Sequence, residues 1–345
     1  MAKMIQTTFQ THTKIDDFPF EHVYKKELGL LEDLNPCQQT YYGTKDAFVL
    51  RYRQKLNLFN FINGLSLRKE VSIVGMPLSM AMAGYEGPPV QVADIIESLP
   101  GLTLVLNARD DLPFSKAHTL SCYDFVNRFT SFDDYLNALR SPYRYRIKKA
   151  IKKGSQVLVR PLRAEAFSDA HYTLYKTVYD RSEDKLECLS KAFFQTFPGD
   201  LYEFVDKESG KVLAFVQVQE IEKPTVQPKM ESISTPAHGA IADQKKGSKD
   251  LIFLFGGFDP DYQRSHDIYW NMLLTLVKIG IDRGVDRIQM GQTAGDTKLK
   301  LGCEEVPKYL YVHHGNPLIQ GLVARLLPLL SYKPFSQDFH PWRQP

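Results

Sequence analysis

Apolar residues recurring every three to four positions predict helices, and branched or alternating apolar runs predict the strands between them. In the first half of the chain, Leu28, Leu31 and Leu34 set a helix over Tyr24–Leu34. Val92, Ile95, Ile96 and Leu99 set another over Val90–Leu99. Strands are expected over Ala47–Phe61, Val71–Met82 (broken by Gly75 and Pro77), Leu102–Asn107 and Thr119–Val126. Ser131 with Asp134 three residues later has the form of a capping box with Asp in place of Glu. Phe132, Tyr135, Leu136 and Leu139 then make one helical face. Ser141-Pro142 restarts the helix as a cap with proline at the first position. Tyr143, Ile147, Ala150 and Ile151 form its buried stripe, and Gly154 is a natural stop.

The second half reads more cleanly. A strand over Gln156–Pro161 is followed by helices over Ala166–Asp180 and Leu189–Phe197. Leu201–Asp206 and Lys211–Ile221 form a hairpin across the polar turn Lys207-Glu208-Ser209-Gly210. A strand over Leu251–Phe258, a helix over His266–Arg283 and strands over Asp286–Met290 and Pro307–His313 complete the order β-α-α-β-β-β-α-β, then a short segment and a final β. Glu222–Asp250 has three prolines and no apolar period, so it reads as a mobile insertion between neighbouring strands. The tail helix, Pro317–Leu330, is almost wholly apolar. It is expected to dock on the protein, with interfacial membrane contact the less favoured alternative, because surface-binding helices carry more Lys and Arg.

Composition narrows the class without naming a function. Hydrophobic residues at 43% and charged residues at 24% of 345 exclude a disordered, collagen-like or disulfide-scaffold chain. Four scattered cysteines without a CxxC pair, and histidines without ligand spacing, give no metal site. With no signal-like apolar run near the start and no apolar stretch of 18 residues, a cytoplasmic protein with reduced thiols is expected. The net charge of +3 hides an asymmetry. Tyr135–Ala164 contains nine of the 43 Lys and Arg residues and no acid, leaving 34 bases against 40 acids elsewhere. Arg144, Arg146, Lys148, Lys149, Lys152 and Lys153 cover one helix, and their unrelieved repulsion points to an anionic partner. Solvation of a charged face is the competing reading. No phosphate-loop spacing, GxxxxGK followed by Ser or Thr, occurs.

Two stretches carry a family resemblance. Ser131-Phe132-Asp133-Asp134-Tyr135-Leu136 runs into Arg144-Tyr145-Arg146-Ile147-Lys148-Lys149-Ala150, and Met290-Gly291-Gln292 is followed by Lys298-Leu299-Lys300-Leu301-Gly302. With the element order of the second half, these are similar to the GNAT superfamily of N-acyltransferases, in its FemABX-like and BioF2-like branch. The likeness covers roughly residues 130–315. It implies an α+β fold of tandem GNAT-like units, each a mixed, mostly antiparallel sheet flanked by helices. One unit would take residues 1–154 and end in the basic helix; the other would take residues 155–345, with the insertion 222–250 and the apolar tail helix. The implied chemistry is transfer of an acyl or aminoacyl group from acyl-CoA or aminoacyl-tRNA to a small-molecule or peptide-like amine. The alternative is a non-catalytic protein of the same fold that binds a nucleotide or RNA.

The resemblance also distributes candidate roles. Lys298 stands where the family has its lysine and could contact a phosphate of the donor or acceptor; a solvated helix lysine is the competing reading. Asp296 could take the amine's proton or cap the short helix through Lys300. Tyr311 and His313 could line the cleft, against the plainer reading of a half-buried sheet face. CoA-binding members carry Gln/Arg-x-x-Gly-x-Gly/Ala at the start of the helix after the central strand, where backbone N–H groups grip the pyrophosphate. Here Gln263-Arg264-Ser265-His266-Asp267-Ile268 keeps Gln263 but replaces both small residues. Gln263, Arg264 and His266, with Arg144, Lys148 and Lys152 of the basic helix, are the candidate phosphate contacts. The degraded loop weakens acyl-CoA as donor.

Overall fold

The computed structural model describes residues 9–19, 24–35, 37–57, 68–78, 81–182, 188–223, 248–333 and 338–343. In chain order the elements are β1 (Gln10–His12), α1 (Lys25–Leu34), β2 (Thr40–Gly43), β3 (Phe48–Asn57), β4 (Arg68–Val74), β5 (Tyr85–Glu86), α2 (Pro89–Ser98), β6 (Leu102–Ala108) and β7 (Ser115–His118). Then come β8 (Cys122–Val126), α3 (Phe132–Ala138), α4 (Ser141–Lys153), β9 (Val157–Leu162), α5 (Asp169–Arg181), α6 (Lys191–Thr196), β10 (Asp200–Asp206), β11 (Val212–Lys223) and β12 (Ser248–Phe258). The chain ends with α7 (Gln263–His266), α8 (Ile268–Asp282), β13 (Arg287–Gln289), α9 (Gly295–Lys300), β14 (Glu304–Val306), β15 (Tyr309–His314) and α10 (Pro317–Leu326).

The strands form two sheets of the same plan. One runs β1-β2-β3-β4-β6-β15-β7, with β5 beside β3; the other runs β9-β10-β11-β12-β13-β8-β14. Each sheet has a single parallel pair, β4 with β6 and β12 with β13, and all its other pairs are antiparallel. Each parallel pair is bridged by a helix, α2 in one and α8 in the other, as a parallel crossover requires. Two mixed, mostly antiparallel sheets flanked by helices are the α+β arrangement that the resemblance implies. The sheets also exchange a strand. After β7 the chain crosses over to place β8 between β13 and β14, and after β14 it crosses back to place β15 between β6 and β7.

The hydrophobic pattern explains which elements are central. Helix α8 is apolar nearly all round, and nine of its residues, from Ile268 to Ile281, are buried, because α3 and α4 lie on one side and the sheet on the other. Residues of both halves share a second core. Leu28, Leu31, Tyr41 and Phe48 pack with Phe167, Leu174, Phe193, Phe194 and Phe215.

Several expectations are adjusted by tertiary contacts. Helix α4 is capped by Arg140 rather than Ser141, so Ser141-Pro142 lies inside its first turn. Of its expected stripe, Ile147 and Ala150 are buried while Ile151 is exposed. Gly154 ends the helix without a left-handed backbone; a Cβ there would lie 2.5 Å from Asn271 Nδ2, so close packing fixes the glycine. Ser131 Oγ accepts from Asp134 N at 3.1 Å, and the Asp134 carboxylate also accepts from Thr130 Oγ1 at 2.6 Å. The ends of the expected insertion are strand: Glu222 and Lys223 pair with Lys249 and Ser248. Residues 224–247 lie outside the described residues. The tail helix docks by one edge only: Leu327 is buried with Val323 packed beside it, while α10 itself has no buried residue. Among the described residues no helix is long and apolar enough to cross a membrane.

Candidate functional site

The turn that leaves β13 carries the most constrained backbone in the second half. Gly291, Thr293 and Ala294 have φ of 74°, 28° and 52°. Left-handed conformations cost a residue with a Cβ about 1–2 kcal/mol, so surrounding contacts must hold the turn. Those contacts come from three directions. Gln292 Nε2 donates to Asn107 Oδ1 at 2.8 Å and to Leu120 O at 2.5 Å, which ties the turn to the end of β6 and the start of β8. Tyr123 donates its N–H to Gly291 O at 3.2 Å and accepts from Met290 N at 2.8 Å. The Tyr123 phenol also lies over Gly295, where a Cβ would approach its oxygen to 2.1 Å. No side chain fits at residue 295, and α9 starts directly beneath the ring.

Lys298, on α9, reaches back into this turn. Its Nζ donates to Gly291 O at 3.2 Å and Gln292 O at 2.5 Å, and it sits 5.6 Å from the centre of the Tyr123 ring. The side chain is 2% exposed, so it is not the solvated lysine of the competing sequence reading. Burial depresses its pKa to about 8, because two carbonyls and a ring replace the water that would stabilise the ammonium. The nearby thiols of Cys122 and Cys303 are pushed upward by the same burial, Cys122 to about 11. Lys298 is thus poised closer to neutral pH than an ordinary lysine.

Asp296 is on the outer side of α9. It is the second residue of the helix rather than its cap, which is Ala294, and it pairs with Lys300 Nζ at 2.7 Å. It opens onto a pocket of about 320 Å3 between α9 and the first half of α4, where Tyr143, Arg146, Trp270, Thr297 and Lys300 also contribute. The two stretches singled out in the sequence therefore meet at one pocket.

The basic helix is less unpaired than its sequence suggests. Asp267, 6% exposed, caps α8 with φ 46°. Arg146 donates to its two carboxylate oxygens at 3.0 and 3.3 Å and stacks over Trp270 at 4.2 Å; Lys153 approaches Asp267 to 3.8 Å. The acid is far away in sequence and adjacent in space. Lys148, Lys149 and Lys152 are exposed, and among the described residues no carboxylate pairs with them. With Tyr145 and Lys153 they line an open groove of about 570 Å3. Arg144 is half-buried on the same helix.

The helix start expected to hold a diphosphate is already filled. Gln263 Oε1 accepts from Tyr269 N at 3.1 Å, and Asp267 stands at the head of α8 with its carboxylate turned to Arg146 and Lys153. His266 turns to Ser265 Oγ at 2.7 Å and Asp206 at 3.6 Å, while the Arg264 carbonyl accepts from Lys153 Nζ at 2.5 Å. These residues do not fit the pyrophosphate grip of CoA-binding relatives, because an acid stands at the helix head and a side chain already takes a free N–H. Tyr311 and His313 lie on β15 in the other sheet. The Tyr311 hydroxyl is saturated: it accepts from Asp111 N at 3.1 Å and Leu112 N at 3.3 Å and donates to Arg109 O at 3.0 Å. His313 packs on Phe114 at 5.2 Å, and burial lowers its pKa. Neither is brought to Lys298.

Sequence reasoning missed how the turn is held. Tyr123 and Asn107 have no local signature, and Gln292 and Asp267 stood in the singled-out stretches without their partners, because each acts on an element distant in sequence. Gly302 had one, but its reason is tertiary. Its φ is 97°, and a Cβ would lie 2.1 Å from the Trp342 ring, which the C-terminal segment lays against it.

Neither a family model nor a curated protein matches the sequence. Among solved structures, the chain is similar to L-PGS from Bacillus licheniformis, at 12% identity over 88% of this chain and 96% of that one, with a TM-score of 0.48. It is similar to FemX, at 10% identity over 84% of this chain and 90% of that one, with a TM-score of 0.47. It is also similar to N-myristoyltransferase from Saccharomyces cerevisiae with bound myristoyl-CoA, at 11% identity over 89% and 78%, with a TM-score of 0.44.

Proposed function

We propose that this chain is a GNAT-like N-acyltransferase that moves an acyl or aminoacyl group from an activated ester or thioester onto an amine. The observation that carries the reading is Lys298, buried on the Gly291 and Gln292 carbonyls at the end of β13, with the Asp296 pocket on the far side of the same short helix. In the transfer, the amine lone pair attacks the donor carbonyl, the bond to the leaving oxygen or sulfur breaks, and the amine's proton passes to a base. Asp296, partly exposed at the pocket, is the group we assign to that proton. Lys298 is a positioning residue that holds the turn. Such a reaction needs chiefly orientation and a proton acceptor.

The donor is held by its phosphates along α4, where Lys148, Lys149 and Lys152 form an uncompensated cationic groove. Aminoacyl-tRNA suits that surface better than acyl-CoA, since the diphosphate position at α8 is taken by Asp267 and Gln263. The amine acceptor is a small or peptide-like molecule. The same blocked position favours a second reading, a protein of this fold that binds a nucleotide or RNA without transfer.

A thermal-shift screen of acyl-CoAs, aminoacyl-tRNA and nucleotide-linked precursors, followed by transfer assays on the hits, separates the two readings. Asp296→Asn should lower turnover about 100-fold or more while leaving donor affinity within about two-fold. Replacing Arg144, Lys148 and Lys152 together should weaken donor binding, and the loss should shrink at high salt. Donor binding with no transfer to any amine would leave the second reading. A screen in which no phosphate-bearing compound raises the melting temperature would remove both.

A further inference from the structure

Helix α10 is turned outside in. Apart from Arg325, the polar residue within it is Gln320, and this faces the protein: Oε1 accepts from His314 N at 2.8 Å, and Nε2 donates to Val312 O at 3.2 Å. Asn316 fixes the start, its Oδ1 accepting from Leu318 N at 2.9 Å and Ile319 N at 3.4 Å. With the rotation pinned in this way, Val323 and the following Leu327 reach the sheet, and the rest of the apolar content points to solvent. Leu318 is 83% exposed, Leu322 59% and Leu329 69%, and Ile319, Leu326 and Tyr332 are exposed beside them. Six of the eleven exposed large hydrophobic side chains of the described residues lie in this one segment, so they form a patch rather than a scatter.

The charge around the patch identifies its occupant. From Val306 to Gln337 the sequence has no Asp or Glu, and it carries Lys308, His313, His314, Arg325 and Lys333. Arg325 and Lys333 are exposed. The acids that act on this stretch do so at its strand and at Lys308: Glu97 on His313, Asp110 on Tyr311 and Asp124 on Lys308. Arg325 follows Leu318 by seven residues and Leu322 by three, so it rises from the apolar face itself. In a two-fold contact with a second copy, the patch would meet itself, and Arg325 and Lys333 would be covered with no carboxylate to pair with. At a lipid surface the long cationic side chains extend to the phosphates while the leucines enter the acyl region. We propose that α10 and the turn after it lie flat on an anionic bilayer surface, and that this face is a peripheral membrane-docking site separate from the α4 groove.

Co-sedimentation of the full chain with vesicles of phosphatidylcholine alone and of phosphatidylcholine with phosphatidylglycerol tests this. The chain should bind the anionic vesicles at least about ten-fold more strongly than the neutral ones. Leu318→Ser with Leu322→Ser should reduce that binding at least about ten-fold. Both side chains are exposed, so the melting temperature should not move. Arg325→Gln with Lys333→Gln should weaken binding at low salt and less so at high salt. Equal binding to neutral vesicles overturns the proposal. So does anionic binding that survives the double serine variant and is lost on replacing Lys148, Lys149 and Lys152, which would assign it to α4. A concentration-dependent dimer that the serine variant dissolves, without vesicle binding, gives the face to a second copy instead.

Discussion

Arg146 on α4 and Asp267 at the head of α8 form a two-bond ion pair, at 3.0 and 3.3 Å, across 121 positions of sequence. The pair joins the basic helix to the central helix of the second sheet and removes one cation from the α4 surface. The carboxylate is buried and the guanidinium about one-third exposed, so the two partners are not equivalent.

Loss of Arg146 strands the Asp267 charge. Arg146→Met should cost about 2–3 kcal/mol in denaturant unfolding, below the range for a fully buried pair because Arg146 is partly solvated. Adding Asp267→Asn should recover part of that loss. If the double variant is as unstable as the single one, the loss comes from Arg146 packing on Trp270 instead.

Gly302 and Trp342 make a steric pair. Gly302→Ala should destabilise the protein by about 2–4 kcal/mol, through both its positive φ and the blocked ring. In a Trp342→Ala background the same change should cost markedly less, leaving only the backbone contribution. An unchanged cost would show that the ring contact is not what fixes the glycine.

His171 gives a pH dependence. Its Nδ1 accepts from Ser168 N at 3.1 Å, which leaves Nε2 to donate to Glu203 at 3.0 Å, and it is buried. Burial lowers its pKa, with Glu203 opposing in part. The unfolded chain then binds the proton more readily, so the stability from this site is complete above about pH 6.5 and is lost as the pH falls below it. Between pH 7 and 5 the melting temperature should fall further in the wild type than in His171→Gln. Parallel curves would show that His171 does not titrate differently in the two states.

Lys298 titrates at the other end of the range. Folded, it releases its proton near pH 8, whereas the unfolded lysine does so near 10.4, so the unfolded chain holds more protons between those values. Stability relative to Lys298→Met should therefore rise as the pH goes from about 8 towards 10. Chemical denaturation at pH 7.5, 8.5 and 9.5 measures it; a constant difference would mean that the site is wetter than its geometry indicates.

By itself the sequence determined the local elements and the order in which they come. Apolar spacing marks α2, α5 and α8 because a helix must bury one stripe or, for α8, its whole circumference. The polar turn before Lys211 marks the β10–β11 hairpin because the turn sets the register. The family pattern around Gly291, Lys298 and Gly302 marked the candidate site. The short strands β1, β5, β7 and β14 were not legible, since two to four residues carry no period. Only the tertiary structure decided the rest. Strand exchange of β8 and β15 leaves no local trace, because pairing partners are chosen by the sheet edge that each strand reaches. The basic helix looked unrelieved because Asp267 lies 121 residues from Arg146, and charge balance is a matter of distance in space. The tail helix is expected to dock on the protein because its composition is apolar. Two hydrogen bonds from Gln320 fix its rotation, and that rotation, not the composition, turns its leucines outward.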